Sequence, residues 1–469
     1  MLIVGAEIEG RADQRVRVID GIITDVGTRR DCKGRSDELV LDAAGGAVIP
    51  GIHDHHVHLR ATAAEEASVR LGPPDVTDRM GFEGRLREAA AKAVPAAWVR
   101  GVGYHERVAG PLDRNRLDEV VPSCPVRIQH RTGSLWILNS RALAEIDAER
   151  HHLPGLERDD HGCLTGRLWR LDAWLGSIVP RVPVDLAGLS RQAAAMGITG
   201  FTDATPDRGA DDLDNFERLL GSRKMLQRLT LMASHDLAWP VGARVQRGPV
   251  KLVLDDSDLP DVDDLASAIR SAHEHGCPVA VHCVTAEQLV VLIGALQRAG
   301  SRAGDRIEHA AVVPPALVGD LRALGVTVVV QPAFVFERGD DYLREVDAEE
   351  QQWLYPCASL LASGVPVAAS SDAPYSGLDP WAAMRAAAQR MTRCGCVLNG
   401  PEKVGADVAL RMFLGSASWP ARPRRVAPGQ AADLCVLRAP LADVLSDPAK
   451  EAVAATVIGG EVVFCDARV

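Results

Sequence analysis

Between residues 50 and 59 the chain reads Pro-Gly-Ile-His-Asp-His-His-Val-His-Leu, placing four imidazoles within six positions of a protein that has 14 histidines in 469 residues. Imidazole is the commonest protein ligand for zinc and related ions. The stretch follows Gly46-Ala47-Val48-Ile49, an apolar run that reads as a buried strand. On a strand, side chains two positions apart share a face. Asp54, His56 and His58 therefore point one way, and His53 and His55 the other. The chain enters from the apolar end, so His56 and His58 are expected as a ligand pair at or near the strand's C-terminal end. A lone His-x-His reads equally well as a solvated strand end, because two ligands do not make a site. The rest of the chain has to supply the other donors.

Those donors depend on the elements that carry them. From residue 185 onward, helix-like segments (186–196, 213–224, 262–275, 287–299, 315–324 and 358–362) separate strand-like ones (200–203, 229–232, 250–254, 278–282, 306–309, 326–330 and 365–372). With the first strand this makes eight, the pattern of a parallel (β/α)8 TIM barrel, an α/β fold whose chemistry sits at the strands' C-terminal ends. The polar residues expected there are His56 and His58, then Lys251, His282, His309 and Asp372. A mixed oxygen and nitrogen set suits zinc, with iron or manganese as second choices. One histidine at a strand end is usually packed or solvated. Two histidines and an aspartate at the ends of three further strands are harder to ascribe to accident.

Residues 1–48 are strand-like at 2–4, 15–19, 21–26 and 38–42, and the chain returns to β pattern at 432–437 and 454–464. The expectation is a small composite β-sandwich built from 1–48 and 421–469, beside a barrel at 49–420. Residues 60–185 break the rhythm. A helix is expected at 85–93, a strand at 125–130 and a helix start capped by Asn139 or Ser140. That length exceeds a plain connection, so the segment reads as an insertion covering the site.

A net charge of -11 and the lack of a basic cluster argue against a nucleic-acid binder. The first residues are too short and too charged downstream for a signal peptide, and no apolar run reaches the roughly 18 residues of a membrane span. The ten cysteines contain no Cys-x-x-Cys, only Cys394-Gly395-Cys396, and read as reduced thiols of a cytoplasmic protein. The expected partner is a small-molecule substrate, and a homo-oligomer is compatible with this reading.

Four motifs together resemble the amidohydrolase superfamily of metal-dependent hydrolases: Pro50-Gly51-x-x-Asp54-x-His56-x-His58, Val281-His282-Cys283, Ile307-Glu308-His309-Ala310 and Ser370-Ser371-Asp372-Ala373-Pro374. The ending, Val426-Ala427-Pro428-Gly429 through Ala432-Asp433-Leu434, fits as well. Leu112-Asp113, Leu117-Asp118, Pro125-Val126, Asn139-Ser140-Arg141-Ala142-Leu143 and Gln331-Pro332 point to the branch of N-substituted formamide deformylase-like and exoenzyme-regulator-like proteins. The resemblance implies that His56, His58, His282 and His309 are metal ligands, of two zinc ions in the first instance. It implies that Asp372 is both ligand and general base, with His309 or His282 assisting. It matches Lys251 to a lysine that some members carboxylate with CO2, turning a cation into an oxygen ligand two metals can share. An ordinary buried lysine paired with Asp255 or Asp256 is the competing reading. The chain has only six lysines, and arginine cannot supply the amine.

The implied activity is hydrolysis of a C–N bond, in an amide or cyclic amide, by metal-activated hydroxide, with Asp372 passing the proton to the leaving nitrogen. Deamination of a heterocycle is the runner-up. A non-catalytic scaffold is the alternative from another class, and the full ligand set argues against it. The chain departs from the branch pattern at Gly133-Ser134, where a Gly-His pair is expected and His130 is a candidate replacement. It departs again at Thr165-Gly166, followed by Arg170 where relatives carry Glu. Trp136, Trp169, Arg170 and His130 are candidates for the substrate pocket; core packing or surface charge explains each equally well. His273, His275, His151, His152 and His161 are expected to be solvated.

Overall fold

Residues 52–57 form a strand (β1, Ile52–Val57) in which every residue is buried. A strand buried on both faces needs cover on each side, the situation of parallel sheets in α/β proteins. The computed structural model describes residues 1–35, 38–94, 97–180, 184–206 and 208–466. They divide into two compact units, Met1–Leu59 with Leu186–Val469, and Arg60–Asp185.

In the first unit, β1 pairs in parallel with β2 (Ile198–Asp203), and β2 with β3 (Arg228–Leu231); a two-residue strand at Gln246–Arg247 ends this arc. A second parallel arc runs in chain order through β4 (Val250–Val253), β5 (Val279–Cys283), β6 (Arg306–His309), β7 (Thr327–Val330) and β8 (Val367–Ala369). Just past β8 the chain returns to β1: Asp372 N–H donates to the His56 carbonyl, and His58 N–H to the Ala373 carbonyl, each at 2.8 Å. Helices connect the strands. Val262–Glu274 buries Leu265, Ala266, Ile269 and Ala272, an i, i+3, i+4 stripe. Ala286–Ala299 opens with a full capping box between Thr285 and Gln288.

Three expectations need correction. The strand at 365–372 stops at Ala369, because Ser370 to Asp372 leave the ladder for a turn in which Asp372 adopts φ 58°. Lys251 lies within the body of β4, at its second position, not at the strand's end. The helix expected at 213–224 spans Ala210–Gly221, with Asp211 and Asp212 in its first turn; two further helices, Ala333–Glu345 and Pro380–Gln389, lie among the barrel-like elements.

Two four-stranded sheets flank the arcs. One orders Ile22–Gly27, Arg11–Ile19, Leu2–Ile8 and Val40–Asp42; the other orders Glu461–Cys465, Val453–Ile458, Leu434–Leu437 and Val48–Pro50. They share one apolar cluster that includes Ile3, Val16, Ile23, Leu434, Val436 and Val457.

The second unit carries a six-stranded sheet, in the order Leu156–Arg158, Leu164–Trp169, Leu135–Leu138, Val126–His130, Val99–Tyr104 and Val69–Arg70. The last three run parallel. The helix expected at 85–93 starts earlier, at Arg79–Lys92, because the Asp78 side chain accepts from the Gly81 N–H. Asn139 caps the helix Ser140–Glu145, one of the two caps expected there. Its oxygen accepts from Ala142 and Val126 N–H, and its amide donates to the Val121 and Cys124 carbonyls, all within 2.9–3.0 Å. All ten cysteines are free, and no helix among the described residues is long and apolar enough to cross a membrane.

Candidate active site

His56, His58 and Asp372 each offer a donor atom, all within 4.8 Å of one another. Asp372 Oδ1 lies 3.3 Å from His58 Nε2 and 3.5 Å from His56 Nε2. The remaining histidines stand next in line: the His309 ring is 4.9 Å from His56 and 4.6 Å from His282, centroid to centroid. His282 sits in β5 and His309 ends β6, while Asp372 lies three residues past β8.

His56 and His58, whose Nε2 atoms face Asp372, are each held at Nδ1, while His309 Nδ1 itself lies 3.9 Å from Asp372 Oδ2. His56 Nδ1 hydrogen-bonds Glu308 Oε2. Glu308 Oε1 accepts from Arg306 Nε at 2.7 Å, and Arg306 also donates to the His55 carbonyl at 2.6 Å. His58 Nδ1 is 3.0 Å from Thr205 Oγ1. His309 Nδ1 is 2.8 Å from Gln331 Oε1. The Gln331 amide already donates to the Val329 carbonyl and Ser370 Oγ, so its oxygen must accept from His309. Such outer partners fix the tautomer and turn of a metal-ligating histidine. Asp54 ties the two strand ends together, accepting from Ser371 N–H at 3.0 Å and from the Ser371 hydroxyl. Burial, against those hydrogen bonds, pushes the Asp54 carboxyl up to about 6.

Burial drives the His56 imidazole down to about 3, aided by the charge of Lys251. Burial likewise lowers His282 and His309, so all three are neutral with lone pairs to give. Burial acts to raise Asp372, but the surrounding His56, His58 and His309 hold it below the ordinary carboxylate range. Lys251 comes down to about 8, again by burial, with Glu308 and Asp372 opposing. Its Nζ is shielded from solvent and has no hydrogen-bond partner, as is true of Asp372 Oδ1. The pairing with Asp255 or Asp256 is not found: Asp256 accepts from Thr285 Oγ1 and Asp255 from Ser257. A buried polar atom without a partner costs about 1–3 kcal/mol, and two at one spot call for an explanation. Backbone strain collects at the same place, with positive φ at His309 (73°), Ala310 (45°) and Asp372 (58°).

Glu308, Arg306, Thr205 and Gln331 were not anticipated as supports. Arg306-Ile307-Glu308 carried a usable signal, since strand alternation puts two charges on one face of a buried strand.

The pocket candidates Trp136, Trp169, Arg170 and His130 all belong to the second unit. Trp136 is buried there, donating from Nε1 to Asp172 at 2.7 Å under the guanidiniums of Arg100 and Arg127. Trp169 is 40% exposed, and its Nε1 donates to Glu157 at 2.9 Å. Arg170 is exposed, with φ 54°. His130 Nε2 is 3.0 Å from Glu106 Oε2. Among the histidines expected to be solvated, His273 is instead half-buried with Nε2 3.0 Å from Asp305, and half-buried His151 meets the edge of the Trp174 ring. His275, His152 and His161 are exposed.

The amidohydrolase family model matches residues 39–464. The chain belongs to the amidohydrolase family. It is 26% identical over 459 residues to an N-substituted formamide deformylase of Arthrobacter pascens, covering 85% of this chain and 84% of that protein. It is 23% identical to the putative amidohydrolase YtcJ of Bacillus subtilis, covering 97% of both. A solved structure of an uncharacterized metal-dependent hydrolase from Pyrococcus horikoshii superposes with a TM-score of 0.73 at 18% identity, covering 98% of this chain and 99% of that one. The amidohydrolase is thus an enzyme, a hydrolase acting on C–N bonds, with an α/β fold that includes a TIM-barrel-like domain.

Proposed function

We propose that the chain hydrolyses the C–N bond of an amide or cyclic amide at a metal centre held by His56, His58, Lys251, His282, His309 and Asp372. One observation carries this reading: the imidazoles of His56 and His58 converge on Asp372, whose Oδ1, like Lys251 Nζ, is shielded and without a hydrogen-bond partner. These residues fit a divalent ion, because an acceptor without a donor, ringed by lone pairs, lacks only a cation. In this reading the two parallel arcs are the halves of one (β/α)8 barrel, and the flanking sheets form the composite sandwich.

A bound zinc, iron or manganese ion would supply Lewis acidity, acidifying water and polarising a carbonyl. The protein's own residues do the rest. Asp372 takes the proton of the attacking water and returns it to the leaving nitrogen. Glu308 and Thr205 hold His56 and His58 with Nε2 toward Asp372, and Gln331 fixes the His309 ring through Nδ1. Lys251 is the amine placed to react with CO2: its nitrogen would bond the carbon and lose a proton, giving a carbamate whose oxygens could serve as metal ligands. N-substituted formamides are the first substrates to test, because an enzyme with 26% identity carries that name.

The deciding experiment measures metal per chain in protein purified without added metal, the intact against the denatured mass, and turnover of a panel of formamides and cyclic amides. About two metals with a labile mass of CO2 and release of amine support the whole reading. One metal and an unmodified lysine would leave a mononuclear site and withdraw the carbamate. No metal after reconstitution would overturn the assignment of the centre.

A further inference from the structure

Outside the site on β1, the described residues hold one other group of metal-type donors: His105, Glu106 and His130, each with a ligand atom within 4.8 Å of the other two. All three lie in the second unit, and its topology brings them together. Strands Val99–Tyr104 and Val126–His130 run parallel with Tyr104 opposite His130. His105, the residue after the first strand, and His130, the last of the second, therefore emerge at the same carboxyl edge. Ligands of open parallel α/β sheets bind beyond that edge. His105 is also the N-cap of the short helix Glu106–Ala109, so the backbone of one turn fixes both His105 and Glu106.

The contacts are those of a site with a proton where a cation could sit. His130 Nε2 is 3.0 Å from Glu106 Oε2, and its Nδ1 is 2.8 Å from Thr132 Oγ1. The His105 ring lies 5.7 Å from that of His130. The Thr132 hydroxyl in turn meets Ser134 Oγ at 2.9 Å. The Thr132 N–H donates to His130 Nδ1 at 3.3 Å, so Nδ1 holds the lone pair and the ring proton sits on Nε2 facing Glu106. A cation would take the Nε2 position with that proton moved to Nδ1, where the Thr132 hydroxyl oxygen can accept it. The His130 side chain is 11% exposed and that of Glu106 37%, so the group is sheltered on one side and open on the other.

We infer that His105, Glu106 and His130 form a second metal site, one that takes a divalent first-row transition ion. Two imidazoles and one carboxylate favour zinc, cobalt or iron over calcium or magnesium, which prefer oxygen throughout. The charge of Arg131 reaches His130 and opposes a cation, while Glu106 favours one.

Cobalt(II) titration of the metal-stripped full chain tests this. In a His56→Ala, His58→Ala background, one equivalent of cobalt with visible ligand-field absorption is expected, lost on His130→Ala and on Glu106→Gln. No saturable cobalt binding in that background, or binding that survives both further substitutions, would overturn it. Where the double variant does not fold, the parent chain decides. His130→Ala then lowers zinc at saturation by one equivalent with the circular dichroism spectrum unchanged, and an unaltered stoichiometry refutes the site.

Discussion

The two faces of β1 carry the same side chain in opposite circumstances. On one face His56 and His58 each have an outer partner, Glu308 and Thr205, and both point Nε2 toward Asp372. On the other, His53 and His55 stack at 4.6 Å. His53 reaches Thr202 Oγ1 at 2.9 Å, while His55 is wholly buried with no hydrogen bond to either ring nitrogen. Burial, the largest influence, holds both imidazoles of this second face well below their ordinary range. The difference is not the histidine but the charge around it. Asp372, Glu308 and Lys251 gather on the first face, and there the unpaired atoms include an acceptor and an amine. On the second face the guanidiniums of Arg306 and Arg424 act on both rings and oppose a cation, with Glu308 a lesser influence on His55.

The largest effect that separates the faces is expected from paired substitutions. His56→Ala with His58→Ala should remove bound metal and turnover together, whereas His53→Ala should leave metal content, read by elemental analysis, at the parent value. Loss of metal from His53→Ala alone would erase the distinction. A smaller effect belongs to Glu308→Gln, which keeps the shape and an oxygen acceptor but removes the charge behind His56. Metal affinity should fall about 10- to 100-fold, the usual cost of disturbing such an outer contact, measured by competition with a chelator. An unchanged affinity would make Glu308 a purely structural partner of Arg306.

Why was the ligand face legible in the sequence and its support not? Alternation in 306–309 and the cap and glycine around 287–299 are local signals, and the elements Arg306–His309 and Ala286–Ala299 sit where those signals put them. The contact of His56 with Glu308 joins residues 252 positions apart. It depends on how β1 faces β6, which no local pattern encodes. Local readings also overran where side chains took the backbone elsewhere. Ser371 and Asp372 belong by pattern to β8, but Asp54 draws Ser371 out of the ladder. In the second unit the strand Leu156–Arg158 is only three residues long, and Gly166 takes a buried position of Leu164–Trp169 without an apolar side chain, so the sequence alternation of each is weak. The helix Ala333–Glu345 follows Pro332 directly and is polar over its later turns, so its apolar pattern is short.

The finest test concerns protons on the second face. The folded-state imidazoles of His53 and His55 lie well below the unfolded value near 6.5. The unfolded chain therefore binds more protons below that pH, so stability is complete above about 6.5 and falls as the pH drops through it. Between pH 7.5 and 5.5 each neutral, buried imidazole should cost roughly 1.4 kcal/mol. His55→Phe keeps a ring against His53 and removes one titrating group. At pH 7.5 relief from the unpaired nitrogens, worth about 1–3 kcal/mol, is set against crowding by the larger ring, so the net change is small. At pH 5.5 the variant should gain roughly 1.4 kcal/mol on the parent. Urea midpoints of metal-free protein at the two pH values measure this directly, because the other histidines are common to both chains and cancel. Parallel acid slopes would mean that His55 acquires a proton without unfolding, and the second face would then be less dry than its burial indicates.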